Sequence, residues 1–141
     1  MGAPRLILVE GMIGSGKTTT AGHLADWLSR RGEDVRAFDE GAADHPVRTR
    51  RVDELLATPA PDDPGVYSAG QWRRLAECCL RHEQTVILES VFLQNSAMPA
   101  FIDGAPVAAV TDICAEIQRQ VAPAEPFLVY LRPVDVAAAI A

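Results

Sequence analysis

The sequence predicts a three-layer α/β domain with a mostly parallel sheet. Three observations predict it. Short apolar, β-branched runs alternate with stretches of helical period, in the order β-α-β-α-α-β-α-β. A glycine-rich turn joins the first run to the first helix, and two later runs end in carboxylates. Such alternation places helices on both faces of one sheet, joined by right-handed crossovers.

The first run, Arg5 to Glu10, is continuously apolar before its terminal acid, as expected of a central strand buried on both faces. Gly11-Met12-Ile13-Gly14-Ser15-Gly16-Lys17-Thr18 follows it and fits the pattern glycine, four residues, then Gly-Lys-Thr. Glycines let backbone N–H groups turn inward without a Cβ in the way. Those groups form a concave anion site that runs into a helix N-terminus, where the peptide dipole also favours negative charge. Lys17 is placed to reach β- and γ-phosphates, and the Thr18 hydroxyl to ligate Mg²⁺. The predicted phosphate-binding residues are Gly11, Met12, Ile13, Gly14, Ser15, Gly16, Lys17, Thr18 and Thr19, and the fold is that of the P-loop NTPases. Ala21, Leu24, Ala25 and Leu28 then fall on one helical face, and Gly32 stands where a C-terminal glycine belongs.

Val35 to Phe38 is the second predicted strand, ending in Asp39-Glu40-Gly41. Ligands of parallel α/β sheets bind beyond the carboxyl ends of the strands, so these acids face the same region as the glycine-rich loop. His45 to Arg51 is a small basic island, read mainly as a solvated turn before a helix at Val52 to Leu56. The prolines between Ala57 and Pro64 mark a loop, with Asp62 and Asp63 as turn formers. Ser68 caps an amphipathic helix reaching about Glu83, in which Trp72, Leu75, Ala76, Cys79 and Leu80 repeat at helical spacing. Trp72 reads as a core-packing residue in preference to a ligand contact, because the stripe needs a large side chain there.

Gln84 to Ser90 is the third strand, a β-branched apolar run that ends in Glu89. An apolar strand followed by an acid is the form that brings a carboxylate to Mg²⁺ or its water shell, so Thr18 and Glu89 are the predicted metal residues. Val91 to Gly104 is mixed, and its Gln94 and Asn95 offer amide donors and acceptors near the same sheet edge. Val110, Ile113, Cys114, Ile117 and Val121 mark another helix, stopped by Pro123 and Pro126. Phe127 to Leu131 is the fourth strand, and Asp135 to Ala141 reads as the beginning of a helix.

One domain, residues 1–141, accounts for the whole chain. The net charge of −6 and the lack of a coherent basic stripe argue against a nucleic-acid partner. No apolar run approaches the ~18 residues of a bilayer span, and no signal-peptide pattern precedes the first strand. The three cysteines have no metal-ligand spacing and read as reduced thiols of a cytoplasmic protein.

Glu10-Gly11-Met12-Ile13-Gly14-Ser15-Gly16-Lys17-Thr18-Thr19-Thr20 resembles the opening of the thymidylate kinases and deoxynucleoside kinases. The resemblance covers about the first forty residues and the end of the third strand. It implies strand order 2-3-1-4, the cofactors ATP and Mg²⁺, and phosphoryl transfer to a small acceptor. A nucleoside or nucleoside monophosphate is the first choice, and another small alcohol, such as an antibiotic or sugar, the second. It implies that a strand-end carboxylate acts as base toward the acceptor, with Glu40 the first candidate and Asp39 the second, so that Lys17, Glu40 and Asp39 form the expected catalytic set. Similar kinases carry Glu-Arg-Ser or Asp-Arg where this chain has Glu89-Ser90, and they continue into an arginine-bearing lid and a fifth strand. The chain is therefore expected to be C-terminally truncated, and a catalytically weak nucleotide-binding switch is the reading from a different class. No Asn-Lys-x-Asp guanine motif occurs. The expected partner is a small-molecule acceptor, with a homodimer left open and no membrane or nucleic acid.

Overall fold

The computed structural model describes residues 4–47 and 69–140. The arginines of the basic island, the helix expected at 52–56, the proline loop and the Ser68 cap lie outside the described residues. Strands β1 (Leu6–Gly11), β2 (Val35–Phe38), β3 (Thr85–Glu89) and β4 (Phe127–Leu131) form one sheet in the order β2-β3-β1-β4. Every pairing in it is parallel, with Val9 opposite Glu89 and Glu10 opposite Tyr130. The helices are α1 (Lys17–Arg30), α2 (Ala69–His82), α3 (Met98–Ile102), α4 (Val107–Val121) and α5 (Val136–Ile140). The fold is thus the three-layer α/β arrangement expected, in the strand order expected, with a P-loop between β1 and α1.

The central place of β1 explains its composition. Leu6 to Val9 are each at most 4% exposed, and alternate residues feed two cores. Leu6 and Leu8 join Phe38, Trp72, Leu75 and Ile117 on the face covered by α2 and α4. Ile7 and Val9 join Ile87, Ala21 and Leu28 on the face covered by α1. Trp72 is wholly buried, so the core reading of that residue holds.

Local signals end the helices where the sequence says they should. Gly32 adopts φ 86°, and Glu33 N–H donates to the Leu28 carbonyl at 3.2 Å, closing α1 in a Schellman-type turn. Asp135 Oδ1 accepts from Ala138 N–H at 3.1 Å and starts α5. One reading needs correction. Leu80, placed on the apolar stripe of α2, is 47% exposed, because one residue beyond Cys79 turns about 100° away from the core. Phe127, Leu128 and Tyr130 are about half exposed, because β4 is an edge strand and no described element covers its outer side. The mixed segment after β3 becomes a π-helical turn, Leu93–Ala97, running directly into α3. No helix among the described residues is long and apolar enough to cross a membrane.

Candidate active site

The parallel sheet delivers the carboxyl ends of β1, β2 and β3 to one edge, and the site is built there. At the end of β1 the chain must turn sharply. A Cβ on Gly11 would lie 2.6 Å from Ser15 Oγ and 2.7 Å from the Leu131 carbonyl oxygen, so only glycine fits. Gly14 and Gly16 adopt φ 79° and 88°, the left-handed region that turns successive N–H groups inward. Gly16 also precedes α1 without a side-chain cap, leaving the first-turn amides and the positive end of the dipole facing the loop. Lys17 Nζ donates to the carbonyls of Gly11 and Met12, both at 2.9 Å. Of its three N–H donors, one therefore stays available for an anion.

The metal residues expected from sequence meet. Thr18 Oγ1 donates to Glu89 Oε1 at 3.0 Å, across 71 positions of chain. Burial pushes the Glu89 carboxyl above the ordinary range, and the charges of Asp39 and Glu40 push the same way, while the Thr18 hydroxyl and Lys17 oppose them. Glu89 Oε2 is buried and has no hydrogen-bond partner among the described residues. An orphaned carboxylate oxygen beside a threonine hydroxyl is a hard donor pair that fits Mg²⁺, which takes one or two protein oxygens and leaves the rest to phosphate and water.

Both residues open onto a cleft of about 370 Å³, shared with Lys17, Glu40, Ser90 and Gln94. Glu40 Oε2 accepts from Gln94 Nε2 at 3.4 Å. Asp39 is differently used. Its Oδ1 accepts from Gly41 N–H at 2.8 Å, a local turn contact, and it is not among the cleft-lining residues. Of the loop residues, Ile13, Gly14, Gly16, Lys17, Thr18 and Thr19 line this cleft. Gly11 and Met12 line a neighbouring, mostly apolar cleft of about 370 Å³ that includes Glu10, Met98 and Tyr130. Ser15 lines neither cleft, and its hydroxyl is buried without a partner among the described residues. His45 is a turn residue whose Nδ1 accepts from Val47 N–H at 3.1 Å. Asn95 is buried and Arg132 exposed, and neither lines the phosphate-side cleft.

Two residues of the site escape the sequence reading. Ser90 is 2% exposed with φ 61°, an unusual backbone for a residue with a Cβ, placed directly after Glu89 in the cleft. Nothing in the sequence signals that conformation. Glu10 is 1% exposed, and its Oε1 accepts from Phe92 N–H at 2.7 Å. Burial raises its carboxyl above the ordinary range, held back by the N–H groups of Phe92, Leu93 and Gln94 and by Lys17. A signal for Glu10 does exist: by strand alternation an acid shares the face of Leu6 and Leu8, which demands a partner for it.

No protein-family model matches the chain. In a search of solved structures, the crystal structure of thymidylate kinase from Ehrlichia chaffeensis aligns with 97% of this chain and 94% of its own, at TM-score 0.45 and 15% identity. Among curated proteins, the thymidylate kinase of Chromohalobacter salexigens is 43% identical over 61 residues. Those residues are 43% of this chain and span 27% of the relative's length. Over that segment, the chain is similar to a thymidylate kinase.

Proposed function

We propose that the chain transfers the γ-phosphoryl group of Mg-ATP to a small acceptor, first a nucleoside or nucleoside monophosphate. The observation that carries this reading is the Thr18–Glu89 contact beside Lys17, with Glu40 on the same cleft. The loop amides and Lys17 would hold the β- and γ-phosphates and stabilise charge on the transferred group. Thr18 and Glu89 would hold Mg²⁺, whose chemistry there is neutralisation of phosphate charge. Glu40 would orient the acceptor and take its proton, and Asp39, turned onto its own backbone, would act through its charge. The similarity to a thymidylate kinase supports the phosphoryl-transfer class, and the acceptor rests on the loop and strand-end residues alone.

A second reading has one observation in its favour. Lys17 is the single cation among the described residues lining the cleft, facing two carboxylates, and Ser90 stands where similar kinases carry arginine. A catalytically weak nucleotide-binding switch, or a kinase for another small alcohol, would be built this way too. The experiment is transfer from γ-labelled Mg-ATP to a pool of nucleosides, nucleoside monophosphates and small alcohols, with Lys17→Ala in parallel. The expected result is a labelled product reduced at least about 100-fold in the variant. Lys17-dependent nucleotide binding without any transfer would overturn the kinase reading and leave the switch.

A further inference from the structure

Glu10 is a buried acid that the phosphoryl-transfer reading does not use. Isolated in an apolar core it would be costly, so its partners define its purpose. The partner found is a backbone donor at the start of the π-helical turn: Phe92 N–H donates to Glu10 Oε1 at 2.7 Å, and the next two residues, Leu93 and Gln94, line the same cleft as Glu10. A backbone N–H held by a carboxylate oxygen makes a charge-assisted bond, stronger than one to a neutral acceptor. The turn that Glu10 holds carries Gln94. That side chain lines both clefts, and its Nε2 donates to Glu40. A continuous path therefore runs from the residue before the phosphate loop, through the backbone of 92–94, to the proposed base.

We infer that Glu10 is a positioning residue for the acceptor side, pinning the Phe92–Gln94 turn so that Gln94 stands between the two clefts and steadies Glu40. The inference rests on the proposed phosphoryl transfer for its kinetic consequence and on geometry alone for the pin. Glu10 touches no part of the phosphate-side cleft, so its loss should act on the acceptor and spare the nucleotide. Glu10→Gln keeps the shape and one acceptor oxygen but turns an NH₂ group toward backbone donors.

The test has two arms. In the first, backbone amide exchange of the full chain is followed by NMR. The amides of Phe92, Leu93 and Gln94 should exchange at least about tenfold faster in Glu10→Gln, with α1 amides unchanged. Unchanged exchange at those three positions overturns the pin, whatever the enzyme does. In the second, the acceptor KM should rise about tenfold in Glu10→Gln and in Gln94→Ala, while in Glu10→Gln the ATP KM moves less than about twofold. The double variant should be no worse than Gln94→Ala, because both changes break one path. Additive losses, or equal changes toward ATP and acceptor in Glu10→Gln, overturn the positioning role. Gln94→Ala removes only a half-buried side chain, which keeps this arm informative should Glu10→Gln fold poorly. A wild-type chain that transfers no phosphate defeats the proposed function, and the exchange arm still decides the pin.

Discussion

At the scale of single residues, the glycines of the loop are required for two different reasons, crowding and backbone conformation. Gly11 is the sharpest case, because the neighbour of its absent Cβ is the Leu131 backbone oxygen at 2.7 Å, which no rotamer change can move. Gly11→Ala should cost about 1–3 kcal/mol in urea denaturation and weaken nucleotide binding as the loop shifts. Gly16 makes a useful contrast, since nothing lies within 4 Å of its Cβ position and only its φ of 88° resists substitution. Wild-type stability in Gly11→Ala would show that the turn can relax. The loop was legible because its spacing encodes this geometry directly. Ser90 was not, because a left-handed serine is imposed by its surroundings, where Ser90 N–H donates to the Val9 carbonyl and its own carbonyl accepts from Asn95 N–H.

At the scale of elements, hydrophobic period located the strands and helices but not how much of each would be covered. Leu75 and Leu80 in α2 look equivalent as apolar letters, yet one is 5% and the other 47% exposed. Leu75→Ala should therefore cost about 2–5 kcal/mol, and Leu80→Ala no more than about 0.5 kcal/mol, measured by thermal or urea unfolding. Comparable losses at both positions would mean that α2 packs on a different face. The apolar run of β4 predicts a strand equally well at the centre or the edge of a sheet, and strand order decides which. Where the π-helical turn follows β3, the sequence signals only a mixed segment. One anchor of the turn is the bond from Phe92 N–H to Glu10, a residue 82 positions earlier, which no local window contains.

At the scale of the whole molecule, the buried acids make stability depend on pH. Glu10 and Glu89 both hold their protons more tightly folded than unfolded, burial being the largest cause in each. The sign follows from linkage. As pH rises from about 4.5 through the raised folded values, the unfolded chain gives up these protons first, so the native state loses stability. Urea midpoints should fall across that window, and Glu10→Gln should make the slope shallower by removing its share. An unchanged slope would show that the carboxyl ionises as freely in the fold as outside it. The fold class was legible from the alternation of elements and the glycine-rich loop, whereas the sheet order was an implication of the resemblance. Of the cleft beside the loop, the sequence offers Glu40 and Gln94 as candidates, but not the contact between them, because the turn carrying Gln94 meets Glu40 across 54 residues.

Those separations have a consequence for how the protein folds. Thr18 meets Glu89 across 71 residues and Glu10 meets Phe92 across 82, because β3 returns to pair with β1 only after two intervening helical layers. Helix α1 and its glycine-rich approach can form from local contacts, but the cleft they face needs the entropy of a long loop to be spent first. A chain emerging during synthesis thus carries the phosphate loop long before it carries a place for the metal. On the proposed function, competence to bind Mg-nucleotide would arrive in one step, with closure of the β1–β3 pair, and would report that the molecule has reached its native topology.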